Sequence, residues 1–163
     1  MNGLMMDYQL TLPTLLRRAE QYNGAKEIVT RLPDRSFHRT TYAESCRRAR
    51  ALAVGLAGLG VQRGDRVATL CWNHYQHHEA YLGIPCGGFV LHTLNLRLHP
   101  NDLAYIATHA GDRAVIVDRS LLPLLDQFKD RTKIEHVLVV EDDYEELLAS
   151  SDPDAWRDWK SVV

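Results

Sequence analysis

The 163-residue sequence has few of the features that would place it in a specialised class of proteins. Its three cysteines are odd in number and form no C-x-x-C pair, which excludes a disulfide framework and a cysteine zinc site. No stretch approaches the ~18 apolar residues that a membrane-spanning helix needs. Neither sign of charge dominates, because 19 basic and 21 acidic residues give a net charge of -2. The chain therefore has no strong global field to attract nucleic acid.

The amino terminus, MNGLMMDYQL, lacks the basic region and the apolar stretch of a secretory signal. Cys46, Cys71 and Cys86 each lie in an apolar-rich segment, which indicates buried free thiols in a reducing compartment. We therefore predict a cytoplasmic protein that binds no nucleic acid and has no transmembrane segment.

What remains is an alternation of short apolar stretches with amphipathic segments. Apolar residues spaced 4, 3, 4 and 3 apart predict a helix over 41–59, with Thr41 and Glu44 as a capping box. Further predicted helices cover 14–22, 74–84, 100–109, 121–128 and 145–149, and predicted strands cover 27–32, 36–40, 66–72, 89–93, 114–117 and 136–140. This order predicts an α/β fold, a parallel-rich sheet of βαβ units with helices on both faces.

Four clustered side chains, His74, His77, His78 and Glu79, invite a metal interpretation, because residues three and four apart share a helix face. The adjacent His77 and His78 cannot point the same way, however. No H-E-x-x-H motif occurs, and no cysteine pair completes a site. We predict that the chain has no metal site.

The glycines do not form a nucleotide-binding loop. Gly55, Gly58 and Gly60 lie where a helix ends, whereas a dinucleotide fingerprint follows a strand and opens a helix. The run 83–88, Gly-x-x-x-Gly-Gly, lacks the Lys-Ser/Thr of a Walker loop, and no G-x-S-x-G elbow occurs.

Two charged runs are interpreted as solvated surface. Arg47, Arg48 and Arg50 are assigned to the outer face of the long helix, with no interleaved aromatic residues. The acidic run 141–146 (EDDYEE) could chelate Mg²⁺, but it is more typical of a solvated loop and helix start. We predict that no residue of this chain is catalytic, cofactor-binding or metal-ligating.

Several short motifs occur in a fixed order along the chain, namely Thr41-Tyr42-Ala43-Glu44, Gly64-Asp65-Arg66-Val67, Asn73, His78-Glu79-Ala80-Tyr81 with Pro85, and Leu91-His92-Thr93-Leu94-Asn95 with Arg97-Leu98. Together they resemble the amino-terminal part of fatty-acyl-CoA synthetases, in the adenylate-forming (AMP-binding) superfamily. The resemblance runs from about Leu12 to Val140. At His92-Thr93, peptide-synthetase adenylation domains and luciferases usually carry proline and a small residue. The resemblance therefore favours a fatty acid as substrate over an amino acid or luciferin. Phe89 and Leu96 depart from the common pattern, which leaves the preferred chain length open.

The resemblance implies a two-step reaction, in which a fatty acid and ATP form an acyl-adenylate that then reacts with CoA. ATP, Mg²⁺ and CoA are thus implied for the complete enzyme. The family's P-K-G phosphate loop, its T-E pair, its acidic ribose contact and its carboxy-terminal lysine have no counterpart in this sequence. The resemblance therefore predicts a partial amino-terminal domain, part of the large domain of such an enzyme, that is inactive alone and binds none of these cofactors tightly.

The predicted domain has three parts, a helix and hairpin over 1–40, a βα region over 41–149, and a tail over 150–163 that leads toward the missing phosphate loop. Trp156 and Trp159 in the tail are expected to pack on the rest of the chain. A parallel sheet cut from its parent has an open edge, so a homo-oligomer is expected. The alternative is a freestanding, non-catalytic α/β module for binding or interaction.

Overall fold

The computed structural model describes residues 11–157, which form an α/β fold around a four-stranded parallel sheet in the order β4-β3-β5-β6. A separate antiparallel pair, β1 and β2, forms a hairpin. The strands are β1 Glu27–Arg31, β2 Phe37–Thr41, β3 Arg66–Leu70, β4 Val90–Thr93, β5 Asp112–Val117 and β6 His136–Val139. The helices are α1 Leu12–Asn23, α2 Tyr42–Gly58, α3 Tyr75–Cys86, α4 Pro100–Ala110, α5 Leu122–Leu125 and α6 Glu145–Ala149. The predicted fold class is confirmed.

The central strand β3 divides the core into two apolar clusters. Val67 packs on one face with Ala114 and Ile116 of β5, whereas Ala68 packs on the other face with Val115. Helices α2, α3 and α6 cover the first face, and α4 and α5 cover the second. Both faces of the sheet are buried, which explains why its inner strands are apolar without alternation.

Local signals in the sequence account for most element ends. The Thr41 hydroxyl accepts a hydrogen bond from the backbone N–H of Glu44 at 3.2 Å, as expected of an N-cap. The Glu44 carboxylate accepts from Arg47, however, and so does not complete the predicted capping box. Gly111 has a φ of 70° and ends α4 in the left-handed conformation that glycine adopts most easily.

Two predicted helices differ in their bounds. The predicted helix over 121–128 is a 3-10 turn at Arg119–Leu121 followed by the four-residue α5, which has Pro123 in its first turn and ends at Leu125. The helix predicted over 74–84 continues past Pro85 to Cys86 and has Gly87 as its C-cap. The apolar residues Leu15, Leu16, Ala19 and Tyr22 of α1 do not share a buried face. Leu16 is buried, but Leu15 and Tyr22 are 58% and 72% exposed, because α1 packs at the edge of the domain through one narrow stripe.

The three arginines of α2 are not a uniform solvated face. Arg47 is exposed, but the Arg48 side chain is only 18% exposed and donates to the fully buried carboxylate of Glu79 at 2.8 Å. Arg48 also donates to Glu145, and the Tyr144 hydroxyl donates to Glu79 at 3.0 Å. The prediction was wrong because α3 and α6 pack over this side of α2, which the sequence of α2 does not show.

Arg50 is the second exception, since it pairs with Glu20 of α1 at 2.7 Å and is 16% exposed. The tail also packs on the helices. The Trp156 indole N–H donates to the backbone carbonyl of Cys86 at 3.0 Å, and its ring contacts the cluster around Leu16 and Cys46. The expectation for Trp156 is confirmed, and Trp159 lies outside the described residues. The three cysteines are buried thiols, as predicted, and within residues 11–157 none of them forms a disulfide.

Candidate functional site

The strand order places a crevice at the carboxyl ends of β3 and β5. These strands are neighbours, but the chain leaves β3 toward α3 on one face and leaves β5 toward α5 on the other. The two connections therefore diverge and open a gap between them. In open α/β sheets, ligands bind at such topological switch points.

A cleft of about 500 Å³ occupies this point, within the size range of small-molecule sites. Its floor is the segment after β3, with Trp72, Asn73 and His74, together with Asp118 and Ser120 after β5. The hairpin β1–β2 forms the opposite wall through residues 31–33 and His38. An adjoining cavity of about 480 Å³ shares Asn73 and His74 and extends along α3 to Tyr81.

The cluster of Cys71, His74 and Asp118 at the base of the cleft brings three metal-ligand types within 4.8 Å of one another. Each group is already engaged within the protein. The Asp118 carboxylate accepts from the Trp72 backbone N–H and pairs with Nε2 of His74 at 2.8 Å. The Cys71 thiol donates to the Ile116 carbonyl, and burial raises the pKa of this thiol above its ordinary value.

The tautomer of His74 also disfavours a metal ion. Its Nδ1 accepts the backbone N–H of His77 at 3.2 Å and caps α3, so the proton of the neutral ring lies on Nε2, which donates to Asp118. A metal on Nε2 would require the proton to move to Nδ1, where it would face another N–H. The cluster is thus better explained as a hydrogen-bonded tie between β3, α3 and β5.

The structure separates the four residues that the sequence grouped as metal-like. His77 bonds to the Trp72 carbonyl and to the Thr69 hydroxyl, and burial lowers its pKa. His78 points instead toward Ser45 at 3.4 Å. Glu79 faces Arg48, and burial raises its pKa while the guanidinium opposes that rise. Of these four residues, only His74 lines the cleft at the switch point, where it pairs with Asp118.

Sequence reasoning missed Trp72, Asp118 and Ser120. They follow two strands that are 42 residues or more apart along the chain, and only the strand order brings them together. A rule that examines the residue after each predicted strand would have selected Asp118, because carboxyl ends of parallel strands meet at one side of the sheet. It would have missed Trp72, which lies within the predicted strand 66–72, and Ser120, which lies two residues further along the chain than Asp118.

The described residues do not fit the triphosphate and Mg²⁺ that the family resemblance implies. Four carboxylates of the acidic run have partners in the protein: Glu141 accepts the Arg119 N–H, Asp142 pairs with the Arg119 guanidinium, Asp143 accepts the Val139 N–H, and Glu145 accepts from Arg48. Gly87 and Gly88 join α3 to β4 and lie at the amino ends of the parallel strands, whereas the cleft lies at their carboxyl ends. No glycine-rich cradle follows a strand within residues 11–157.

The AMP-binding enzyme family matches residues 15–162 of this chain. Such a match covers most of the sequence, and the chain belongs to this family. The chain is 48% identical over 139 residues to a long-chain-fatty-acid–CoA ligase of Thermus thermophilus, and these residues are 85% of this chain. It is 38% identical over 141 residues, 86% of this chain, to a 3-methylmercaptopropionyl-CoA ligase of Ruegeria lacuscaerulensis.

A structural comparison agrees on the fold. A long-chain-fatty-acid–CoA ligase from Archaeoglobus fulgidus superposes with a TM-score of 0.83 over 94% of this chain, at 18% identity. The chain spans 26% of the length of each of the two curated relatives and 32% of the Archaeoglobus chain. In the part of the chain that the structure describes, no helix is long and apolar enough to cross a membrane.

Proposed function

We propose that this chain is the amino-terminal part of an ATP-dependent fatty-acid–CoA ligase, which converts a fatty acid, ATP and CoA to acyl-CoA, AMP and pyrophosphate through an acyl-adenylate. The observation that carries the proposal is the 48% identity to a ligase of which the chain spans only 26%. The relatives include ligases of long-chain fatty acids and of 3-methylmercaptopropionate, so the acyl chain length is left to experiment.

In this proposal the chain supplies part of the structural scaffold, and the catalytic residues lie in sequence that follows Val163. The first step needs backbone N–H groups around the phosphates, a cation on the developing charge, and Mg²⁺. The described residues contain a packed sheet, an acidic run whose Glu141 and Asp143 accept backbone N–H groups, and no phosphate cradle. The chain alone is therefore expected to be inactive and to bind ATP, Mg²⁺ and CoA only weakly.

Two assays on purified 1–163 test this point. Acyl-CoA formation from a fatty acid, ATP and CoA measures the whole reaction, and exchange of labelled pyrophosphate into ATP measures the first step alone. For 1–163, both signals are expected to be at background. For the longer protein that includes the sequence after Val163, both are expected to be above background. Formation of acyl-CoA by 1–163 alone would refute the proposal that the catalytic residues lie outside this chain.

The reading frame beyond Val163 gives a simpler test. An in-frame S/T-G-T-T-G-x-P-K-G within a few tens of codons is expected. An immediate natural stop would instead favour a freestanding binding or interaction module. ATP titration onto 1–163 separates the same two candidates, because tight binding fits the module, whereas the ligase proposal places the nucleotide site elsewhere.

We also propose that the isolated chain self-associates and is cytoplasmic. Within residues 11–157, the outer sides of β4 and β6 pair with no other strand, and Val90 on β4 is 47% exposed. Unpaired backbone groups on an edge strand favour pairing with another chain. Light scattering over a range of concentrations is expected to show species larger than 18.6 kDa. A strictly monomeric chain at high concentration would contradict this expectation.

A further inference from the structure

Aromatic side chains line the cleft at the switch point. The Trp72 side chain is 51% exposed there, although tryptophan is usually more buried, and its indole N–H donates to the Ser120 hydroxyl at 3.1 Å. In the same cleft, the rings of His38 and Tyr75 stack with centroids 3.8 Å apart and planes 13° apart. Two aromatic surfaces, each held in place by a second group, thus line one concave site.

A cation and an amide are among the uncommitted polar groups of the cleft. Among the described residues, the Arg31 guanidinium and the Asn73 amide take part in no hydrogen bond or ion pair, and both line the cleft. Two carboxylates also line the cleft: Asp118 bonds to His74 and Trp72, and one oxygen of Glu141 accepts the Arg119 N–H. The unpaired donors of Arg31 and Asn73 are on the hairpin and on the segment after β3, and such donors match an anionic group.

From these walls we propose that the cleft binds a planar aromatic ligand that carries one anionic group. The ring packs against the indole of Trp72, and the anion faces Arg31 and Asn73. Aromatic surfaces favour flat rings through offset stacking, and a guanidinium presents a planar fork that matches a carboxylate. The site lies in this chain alone, so the proposal does not depend on the ligase function or on sequence beyond Val163.

Three probes of similar size separate the two elements of recognition. 2-Naphthoate has the ring and the charge, 2-naphthalenemethanol has the ring without the charge, and cyclohexanecarboxylate has the charge without the aromatic ring. For an open site of this kind, we expect 2-naphthoate to bind with a Kd on the order of 1 mM. Each of the other two probes is expected to bind about three- to tenfold more weakly.

Two-dimensional amide NMR of purified 1–163 measures weak binding and shows where it occurs. Saturable shifts are expected at the Trp72 indole N–H and at backbone amides of 72–76, 118–120 and 31–38. The indole signal is assigned from its loss in Trp72→Phe, which keeps a ring and is expected to retain most of the affinity. Trp72→Ala is expected to reduce the affinity about tenfold, and Arg31→Ala several-fold.

Matched substitutions outside the cleft serve as controls. Tyr105→Ala removes an aromatic side chain that is 69% exposed on α4, and Arg39→Ala removes the hairpin arginine that pairs with Glu27. Neither is expected to change the affinity. The proposal is overturned if 2-naphthoate causes no saturable shift at the cleft at tens of millimolar, or if cyclohexanecarboxylate binds as tightly. Equal losses in the cleft and control variants would overturn it too. Should Trp72→Ala unfold, the three-probe comparison on the unaltered chain gives the same decision.

Discussion

Substitution of Arg48 by methionine tests the buried ion-pair network most directly. Methionine keeps much of the volume of the arginine stem but removes the guanidinium, so the Glu79 carboxylate, which is fully buried, loses its cationic partner. Breaking a buried pair in this way costs about 3–5 kcal/mol, because an uncompensated charge is left in the interior. With a urea m-value of about 2 kcal/mol/M, the unfolding midpoint should fall by about 2 M.

The neighbouring Arg47→Met is a matched control. Arg47 and its partner Glu44 are 53% and 42% exposed, and exposed pairs of this spacing contribute about 0.5 kcal/mol or less. The double variant Arg48→Met/Glu79→Met should be less destabilised than the sum of its single variants, because no charge is then buried without a partner. Equal midpoints for Arg47→Met and Arg48→Met in urea unfolding would refute the burial argument.

Two further predictions concern packing and pH. Gly83→Ala would place a methyl group 2.5 Å from the Ala49 carbonyl and should destabilise the chain by about 1–3 kcal/mol in urea unfolding, whereas Gly58→Ala meets no atom within 4 Å and should be neutral or stabilising. Similar midpoints for these two variants would contradict the close packing of α2 on α3. Burial lowers the pKa of His77 below 6.5, so the unfolded chain binds a proton more readily. The free energy of unfolding should therefore fall as the pH drops below 6.5 toward the folded pKa, and His77→Gln should reduce this slope. Burial lowers the pKa of His78 too, so His78 should also contribute to the slope. An unchanged slope in His77→Gln would count against the assignment.

The order of the elements was predictable from the sequence because it depends on local signals. Apolar spacing, Thr41 as an N-cap and Gly111 as a C-cap act within a few residues, and the helices and strands occur where these signals place them. The bounds of two helices are the exceptions. Helix α5 ends at Leu125 rather than near 128, and α3 continues past Pro85 to Cys86.

The environment of single charges could not be predicted in the same way. Arg47, Arg48 and Arg50 occupy equivalent sequence surroundings, yet Arg48 and Arg50 are mostly buried. Along the chain, Glu79 is 31 residues and Glu145 is 97 residues from Arg48, and Glu20 is 30 residues from Arg50. Amphipathic spacing reports which side of a helix is apolar. It does not report whether another helix covers the polar side.

The sequence alone determined the class of this protein, an α/β domain with the ordered motifs of the AMP-binding enzymes, because short-range spacing is written directly in the chain. Tertiary structure alone decided where a ligand could bind. The cleft joins Trp72 to Ser120 across two strands whose adjacency follows from sheet order, and the hairpin closes it from a distant part of the chain. Contacts of this kind depend on how layers pack, and packing is a property of the whole fold.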